Sequence, residues 1–176
     1  MQQSKYINID KFRVWNLTTN HQFDYKNFSL KAAAALIGTS QQKSNGSAVS
    51  DDAYFWALQL NGSLSYMVPS WNTDFSVFYK LNGKQQLIVE TANAENNTVY
   101  GISKIESFSW LNASVRKMFF KKSLEVTVGA RNLLDVTNIR STIAQGGNLG
   151  HGGGSNDIAT AYGRSYFVKL AYNINL

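Results

Sequence analysis

Period-2 alternation of apolar and polar residues runs through nearly every ordered-looking segment of this chain. Its last twelve residues read SYFVKLAYNINL. Tyr166, Val168, Leu170, Tyr172, Ile174 and Leu176 alternate there with Ser165, Lys169, Ala171, Asn173 and Asn175, and Phe167 alone breaks the pattern. A strand sends successive side chains to opposite faces, so this segment has one apolar face and one mostly polar face. Trp15, Leu17, Thr19, His21, Phe23 and Tyr25 form a similar set against Asn16, Thr18, Asn20, Gln22 and Asp24. Phe28, Leu30, Ala32, Ala34 and Leu36 follow. Tyr54, Trp56, Leu58, Leu60, Leu64 and Tyr66 then oppose Gln59, Asn61, Ser63 and Ser65. Thr73, Phe75, Val77, Tyr79 and Leu81 oppose Asp74, Ser76, Lys80 and Asn82. With SWLNASVRKMFF and LEVTVGARN, the pattern predicts about seven antiparallel strands and an all-β fold. KAAAALI has high helix propensity. It is too short for a stable helix in water and lies between a tight turn and a polar loop, so a strand is predicted there too.

The predicted connections alternate in length. Short ones fall at Lys26–Asn27, Pro69–Asn72 and Lys121–Ser123. Long ones fall near Thr39–Asp52, Gly83–Glu106 and Asp135–Arg164. Long structureless loops are uncommon in compact soluble domains, whereas outer-membrane barrels pair short periplasmic turns with long extracellular loops. Aromatic residues gather at both levels. Tyr25, Tyr66, Trp71 and Tyr172 lie near the short turns, and Trp15, Trp56, Trp110 and Tyr166 near the long connections. Within a strand the two levels are about ten residues apart, and a tilted strand needs about 9–11 residues to cross the hydrocarbon. The expectation is an up-and-down transmembrane β-sheet with its apolar sets toward lipid. The polar sets, including Lys80, Glu125 and Arg131, would face a wet lumen and form a charge network there.

Composition narrows the function. The 176 residues include no cysteine, one proline and thirteen glycines, with 16% charged residues and a net charge of +6. Disulfides and thiolate metal sites are therefore excluded. The basic residues are scattered, which gives no basis for nucleic-acid binding. No apolar run is long enough for a membrane-spanning helix, and MQQSKYINIDKF lacks the apolar core of a secretory signal.

Candidate chemistry is sparse. QGGNLGHGGGSNDIATAYG lacks the Lys-Ser/Thr ending of a phosphate loop. It reads as an extracellular loop in which Asn148, His151, Asn156 and Asp157 are the candidate ligand contacts. His151 has no second ligand at metal spacing, and His21 sits on the apolar set as an interfacial residue. Asp51-Asp52 and Glu90 with Glu95 read as solvated loop acids, because calcium needs more converging oxygens. No metal, cofactor or catalytic constellation is predicted, and no enzyme.

Three segments carry a family resemblance. SLEVTVGARNLLDVTNI resembles the penultimate strand of TonB-dependent outer-membrane receptors, with Asn132-Leu133-Leu134-Asp135 closing the strand and opening the last long loop. YGRSYFVKLAYNINL resembles their terminal strand, introduced by Gly163-Arg164, although Leu176 stands where a terminal aromatic is usual. SWLNASVRKMFFKKSLEV resembles the hairpin before it. The resemblance is specific over about the last seventy residues and architectural before them. It implies a barrel of twenty-two strands closed around a plug, in the outer membrane of a Gram-negative bacterium, importing a scarce nutrient with energy from TonB. Residues 1–176 would be its C-terminal barrel segment, with no plug or signal peptide. The partners would be the N-terminal barrel and plug portion on another chain, TonB through that portion, lipid and lipopolysaccharide, and a surface lipoprotein. Iron chelates, haem, cobalamin and glycans are all candidate substrates. A small outer-membrane barrel acting as an adhesin or binding module is the alternative, and a barrel hydrolase, lacking a nucleophile constellation, is the third reading.

Overall fold

A computed structural model describes residues 9–45, 48–50, 52–92, 95, 97–142, 158–159 and 162–173. They form thirteen strands: β1 (Ile9–Tyr25), β2 (Phe28–Asn45), β3 (Ala48–Val49), β4 (Tyr54–Val68), β5 (Thr73–Asn82), β6 (Gln85–Ala92), β7 (Thr98–Ile105), β8 (Phe108–Phe119), β9 (Leu124–Arg131), β10 (Asn138–Ile139), β11 (Ser141–Thr142), β12 (Ile158–Ala159) and β13 (Ser165–Tyr172). Seven of them make one antiparallel meander in the order β1-β2-β4-β5-β8-β9-β13. The sheet is all-antiparallel and is not closed, so β1 and β13 are its two edges. Six antiparallel steps separate those edges, and β1 and β13 therefore run in the same direction.

KAAAALI lies within β2 as predicted, although the strand runs on through the expected polar loop to Asn45. Its alanines are held by ladders on both sides. Ala34 opposes Thr19 and Leu60, and Ala33 opposes Asn20 and Asn61. Two neighbouring strands outweigh a propensity of a few tenths of a kcal/mol per residue.

The register joins the predicted apolar sets into one face. Tyr25, Phe28, Tyr66, Phe75, Val115, Val128 and Val168 form an unbroken cross-strand row over all seven strands. Phe23, Leu30, Leu64, Val77, Ala113, Ala130 and Tyr166 form the row beside it. These side chains stay open to the surroundings: Leu17 is 68% exposed, Val128 53% and Leu170 70%. Among the described residues only Ile88 and Ile139 are buried apolar side chains, at 4% and 8% exposure. The sheet has a continuous apolar face with nothing packed against it.

The short connections are tight. Lys26 adopts a left-handed φ of 52° in the first. In the second a 3₁₀ turn over Pro69–Trp71 ends on left-handed Asn72, whose N–H donates to the Pro69 carbonyl at 3.1 Å. Phe120, Lys121 and Lys122 are all left-handed in the third. The long connections contain strands of their own, unlike the loops expected there. β2 continues to Asn45 and pairs with β3, and β6 and β7 form a hairpin joined by β11. The Leu87-Ile88-Val89 run is a buried-strand pattern too short to stand out from the polar residues around it. Gly83 starts this hairpin: its N–H donates to the Leu58 carbonyl at 2.7 Å, and a Cβ would lie 2.4 Å from that oxygen.

The Asn132–Asp135 segment works as a corner. Left-handed Asn132 is nearly fully buried; its amide group donates to the carbonyls of Val136 (3.0 Å) and Tyr162 (3.2 Å), and its side-chain oxygen accepts from the Val136 N–H at 3.0 Å. Its own N–H donates to Asn112 Oδ1 at 2.9 Å. Asp135 Oδ1 accepts from the Arg164 N–H at 2.8 Å. Three polar side chains, of Asn112, Asn132 and Asp135, thus tie the end of β9 to β8 and to the start of β13.

Two glycines lie under aromatic rings. The Trp56 indole covers Gly38, its cross-strand partner, so that a Cβ there would come within 2.6 Å of the ring. Phe167 covers Gly129 in the same way at 2.5 Å, which explains the one break in the final alternation. Gly62 has only a backbone oxygen at 4.0 Å. Gly129→Ala should therefore cost about 1–3 kcal/mol by overpacking, and Gly62→Ala should be neutral or slightly stabilising. Guanidinium unfolding of the two variants checks this ordering.

Candidate functional site

The face opposite the apolar rows carries the polar sets. One row reads Asp24, Ser29, Ser65, Ser76, Ser114, Gly129 and Phe167, each residue opposite the next. The row beside it reads Gln22, Lys31, Ser63, Phe78 and Asn112. Small side chains leave two shallow hollows here, of about 310 and 390 Å³. Lys31, Ser63 and Phe78 border both. The second is lined on its far side by Ser114, Arg131 and Phe167. The linings contain hydroxyls, amides, two cations and two aromatic rings, but no carboxylate, so they suit a polar or anionic surface.

The register places Lys80, Glu125 and Arg131 on this polar face, as the alternation predicts. They do not form one network. The Arg131 guanidinium lies 4.8 Å from the Phe167 ring centre. Lys80 sits between Asn61 and Trp110. Glu125 is 3.8 Å from Arg116, which also donates through Nε to Asp74 at 2.9 Å. Arg116 and Asp74 thus complete a three-strand charge ladder that sequence reasoning missed. The available signal was their shared polar-face parity.

Among the girdle candidates, Trp15, Tyr25, Trp56, Tyr66, Tyr166 and Tyr172 fall on the apolar face. Trp71 is exposed in the second short turn. Trp110 is a correction: its pairing with Lys80 puts it on the polar face, edge-on to Phe108 at 6.1 Å. Its level along the chain says nothing about its face. At the long-connection end, Trp15 Nε1 donates to the Tyr54 hydroxyl at 3.1 Å, and Tyr54 stacks on Trp56 at 6.0 Å. Asn148, His151, Asn156 and Asp157 lie outside the described residues.

No family model, curated protein or solved structure matches the chain.

One polar cluster joins the long connection to the sheet. Ser40, almost fully buried, donates to Asp52 Oδ1 at 2.5 Å, while Arg13 and Lys11 pair with Oδ2. The Ser40 hydrogen bond, and after it that from Arg13, holds the Asp52 carboxyl down at about 2. A depressed carboxylate stabilises the fold above its ordinary value of 3.8, and that contribution is lost as pH falls through about 2. Lowering the pH from 4 toward 2 should loosen the start of β1 before the rest of the sheet. Ser40→Ala should move that loosening to higher pH. Hydrogen exchange of the β1 amides against pH reads both.

Proposed function

We propose that this chain forms part of the wall of an outer-membrane transporter of the TonB-dependent kind, importing a scarce nutrient across a Gram-negative outer membrane. The observation that carries the reading is the unbroken apolar face over seven meandering strands with no packing partner. In water such a face would associate or aggregate. In a bilayer it is the required exterior, because every backbone group inside the sheet is already paired. The spacing of the aromatic levels supports it. Ten residues from Trp56 to Tyr66 span about 33 Å along β4, or about 24 Å across a membrane at barrel tilt, close to the apolar band of about 25 Å.

The edges require completion. β1 and β13 run the same way, so closure by antiparallel pairs alone takes an odd number of further strands. Fifteen would complete twenty-two. The polar face then lines the lumen, where the Asp74–Arg116–Glu125 ladder and the two hollows meet a plug. TonB acts through that plug. The β6–β7 hairpin and the last long connection contribute to the outer mouth, where the nutrient is captured; the candidates remain iron chelates, haem, cobalamin and glycans.

Two outcomes are expected of variants at the two faces. Leu60→Arg and Val128→Arg should each cost about 2–4 kcal/mol near the bilayer midplane and reduce assembled protein. Gln59→Arg and Thr127→Arg, on the polar face, should assemble nearly as well as the parent. A heat-modifiability gel scores all four, and greater damage from the polar-face pair would reverse the assignment.

Transport itself is tested in intact cells. A cysteine at Asn97 should react with an impermeant maleimide, and one at Lys122 only after permeabilisation. Uptake of the four candidate nutrient classes should fail for one class when the chain is deleted, and that uptake should stop when the proton gradient is collapsed. Uptake that survives depolarisation would leave a passive pore, and no uptake defect in any class would end the transporter reading.

A further inference from the structure

The two ends of the apolar face differ in their charges. At the long-connection end three cations meet acids: Lys11 and Arg13 pair with Asp52, and Lys84 pairs with Glu106 at 3.1 Å. At the short-turn end four lysines gather. Lys26 lies in the first turn, Lys121 and Lys122 in the third, and Lys117 on the apolar face opposite Thr73 and Val126. Among the described residues none of the four has a carboxylate within ion-pair distance. The acids nearest this end, Asp24, Asp74 and Glu125, lie on the polar face. Asp24 accepts hydrogen bonds from Gln22 and Ser29, and the other two share Arg116. The sheet thus separates its charges, with acids inward and unpaired lysines at the outer rim.

The lysines are joined to aromatic rings. The Lys26 ammonium lies 5.2 Å from the Tyr25 ring centre, and that of Lys117 lies 5.6 Å from Phe119 and donates to the Trp71 carbonyl at 3.2 Å. Tyr25 and Phe119 belong to the apolar face, so both ammonium groups are placed along its margin. Phe120, 75% exposed, and Trp71 stand beside them. The third turn holds Phe120, Lys121 and Lys122 in three successive left-handed conformations, each unfavourable by roughly 1–2 kcal/mol for a residue with a Cβ. Aromatic rings prefer the level where acyl chains meet headgroups, and a lysine beside such a ring reaches the phosphate while its methylenes stay on apolar surface.

We propose that the short-turn rim is a recognition surface for the phosphodiester headgroups of anionic phospholipids, in the leaflet on that side of the membrane. The proposal rests on the membrane reading above. Lys26, Lys117, Lys121 and Lys122 supply the charge, and Tyr25, Trp71, Phe119 and Phe120 set the depth. Electrostatic attraction of this kind amounts to several-fold enrichment per lysine near a charged surface, and among the described residues no acid on that face opposes it.

The test uses the assembled protein with Trp71 as the single tryptophan of this chain (W15F, W56F, W110F), reconstituted in phosphatidylcholine vesicles containing one-third phosphatidylglycerol, with the signal of the same protein carrying W71F subtracted. Bromine is placed on the acyl chains of one lipid or the other, and quenching of Trp71 reports which lipid lies against the rim. Brominated phosphatidylglycerol should quench about twofold more than its mole fraction predicts, as a several-fold preference over phosphatidylcholine requires. The excess should disappear in K26Q/K117Q/K121Q/K122Q, and in about 1 M salt, where the screening length falls to about 3 Å. K11Q/K84Q, at the other end, should keep it. If the triple tryptophan replacement lowers assembly, mass spectrometry of lipids retained around the parent and the quadruple lysine variant gives the same comparison. Quenching in proportion to mole fraction would overturn the proposal and leave an acidic protein surface as the occupant. Absence of quenching by either lipid would instead remove the lipid-facing reading beneath it.

Discussion

Backbone pairing across the seven-stranded meander is the interaction on which everything else here depends, because almost no interior exists to share the work. Ile88 and Ile139 are the buried apolar side chains among the described residues, and both belong to elements outside the main sheet. A soluble sheet of this size would bury one face against a second layer. This one pairs its strands over as many as sixteen positions, as β1 does with β2, and leaves its apolar rows open. The ladder supplies cohesion, and the surroundings must supply the favourable contact for the open face.

That division explains where side chains matter most. Within the sheet they act where the ladder needs help. Trp56 and Phe167 cover Gly38 and Gly129, a ring over a glycine being a way to restore packing where the strand has no side chain. Arg116 spans three strands through Asp74 and Glu125. At the ends of the sheet, Asn132 and Asp135 fix the last corner, and Ser40 with Asp52 fixes the first long connection. The two rings sit where a strand lacks a side chain, and the polar groups join neighbouring strands or fix their ends.

The fold was legible in the sequence to the extent that period 2 expresses it. The strands and turns of the meander follow from alternation, and even KAAAALI yields to its neighbours. The long connections were less legible, because Gln85–Ala92 and Thr98–Ile105 are short strands with polar surroundings. Trp110 shows a different limit: its level could be read from spacing, but its face is set by a register that only the Lys80 pairing displays. The hollows and the charge ladder were illegible for a related reason. Lys31, Phe78, Arg131 and Phe167 are far apart in the chain, and six successive registers are needed to bring the polar face together.

The same registers account for the separation of charge. Asp24, Asp74 and Glu125 have the parity of the polar face, while Lys117 has the parity of the apolar one. A shift of one residue in a strand would exchange its two faces. A slip of β5 or β9 would move Asp74 or Glu125 out among the apolar rows, and a slip of β8 would bring Lys117 in and turn Arg116 out, away from both acids. Opposite charges within the polar face, and apolar neighbours outside it, both oppose that slip. The charged residues therefore do more than decorate two surfaces. They help to fix the register that keeps the apolar rows continuous, and so they support the one feature from which the membrane reading is argued.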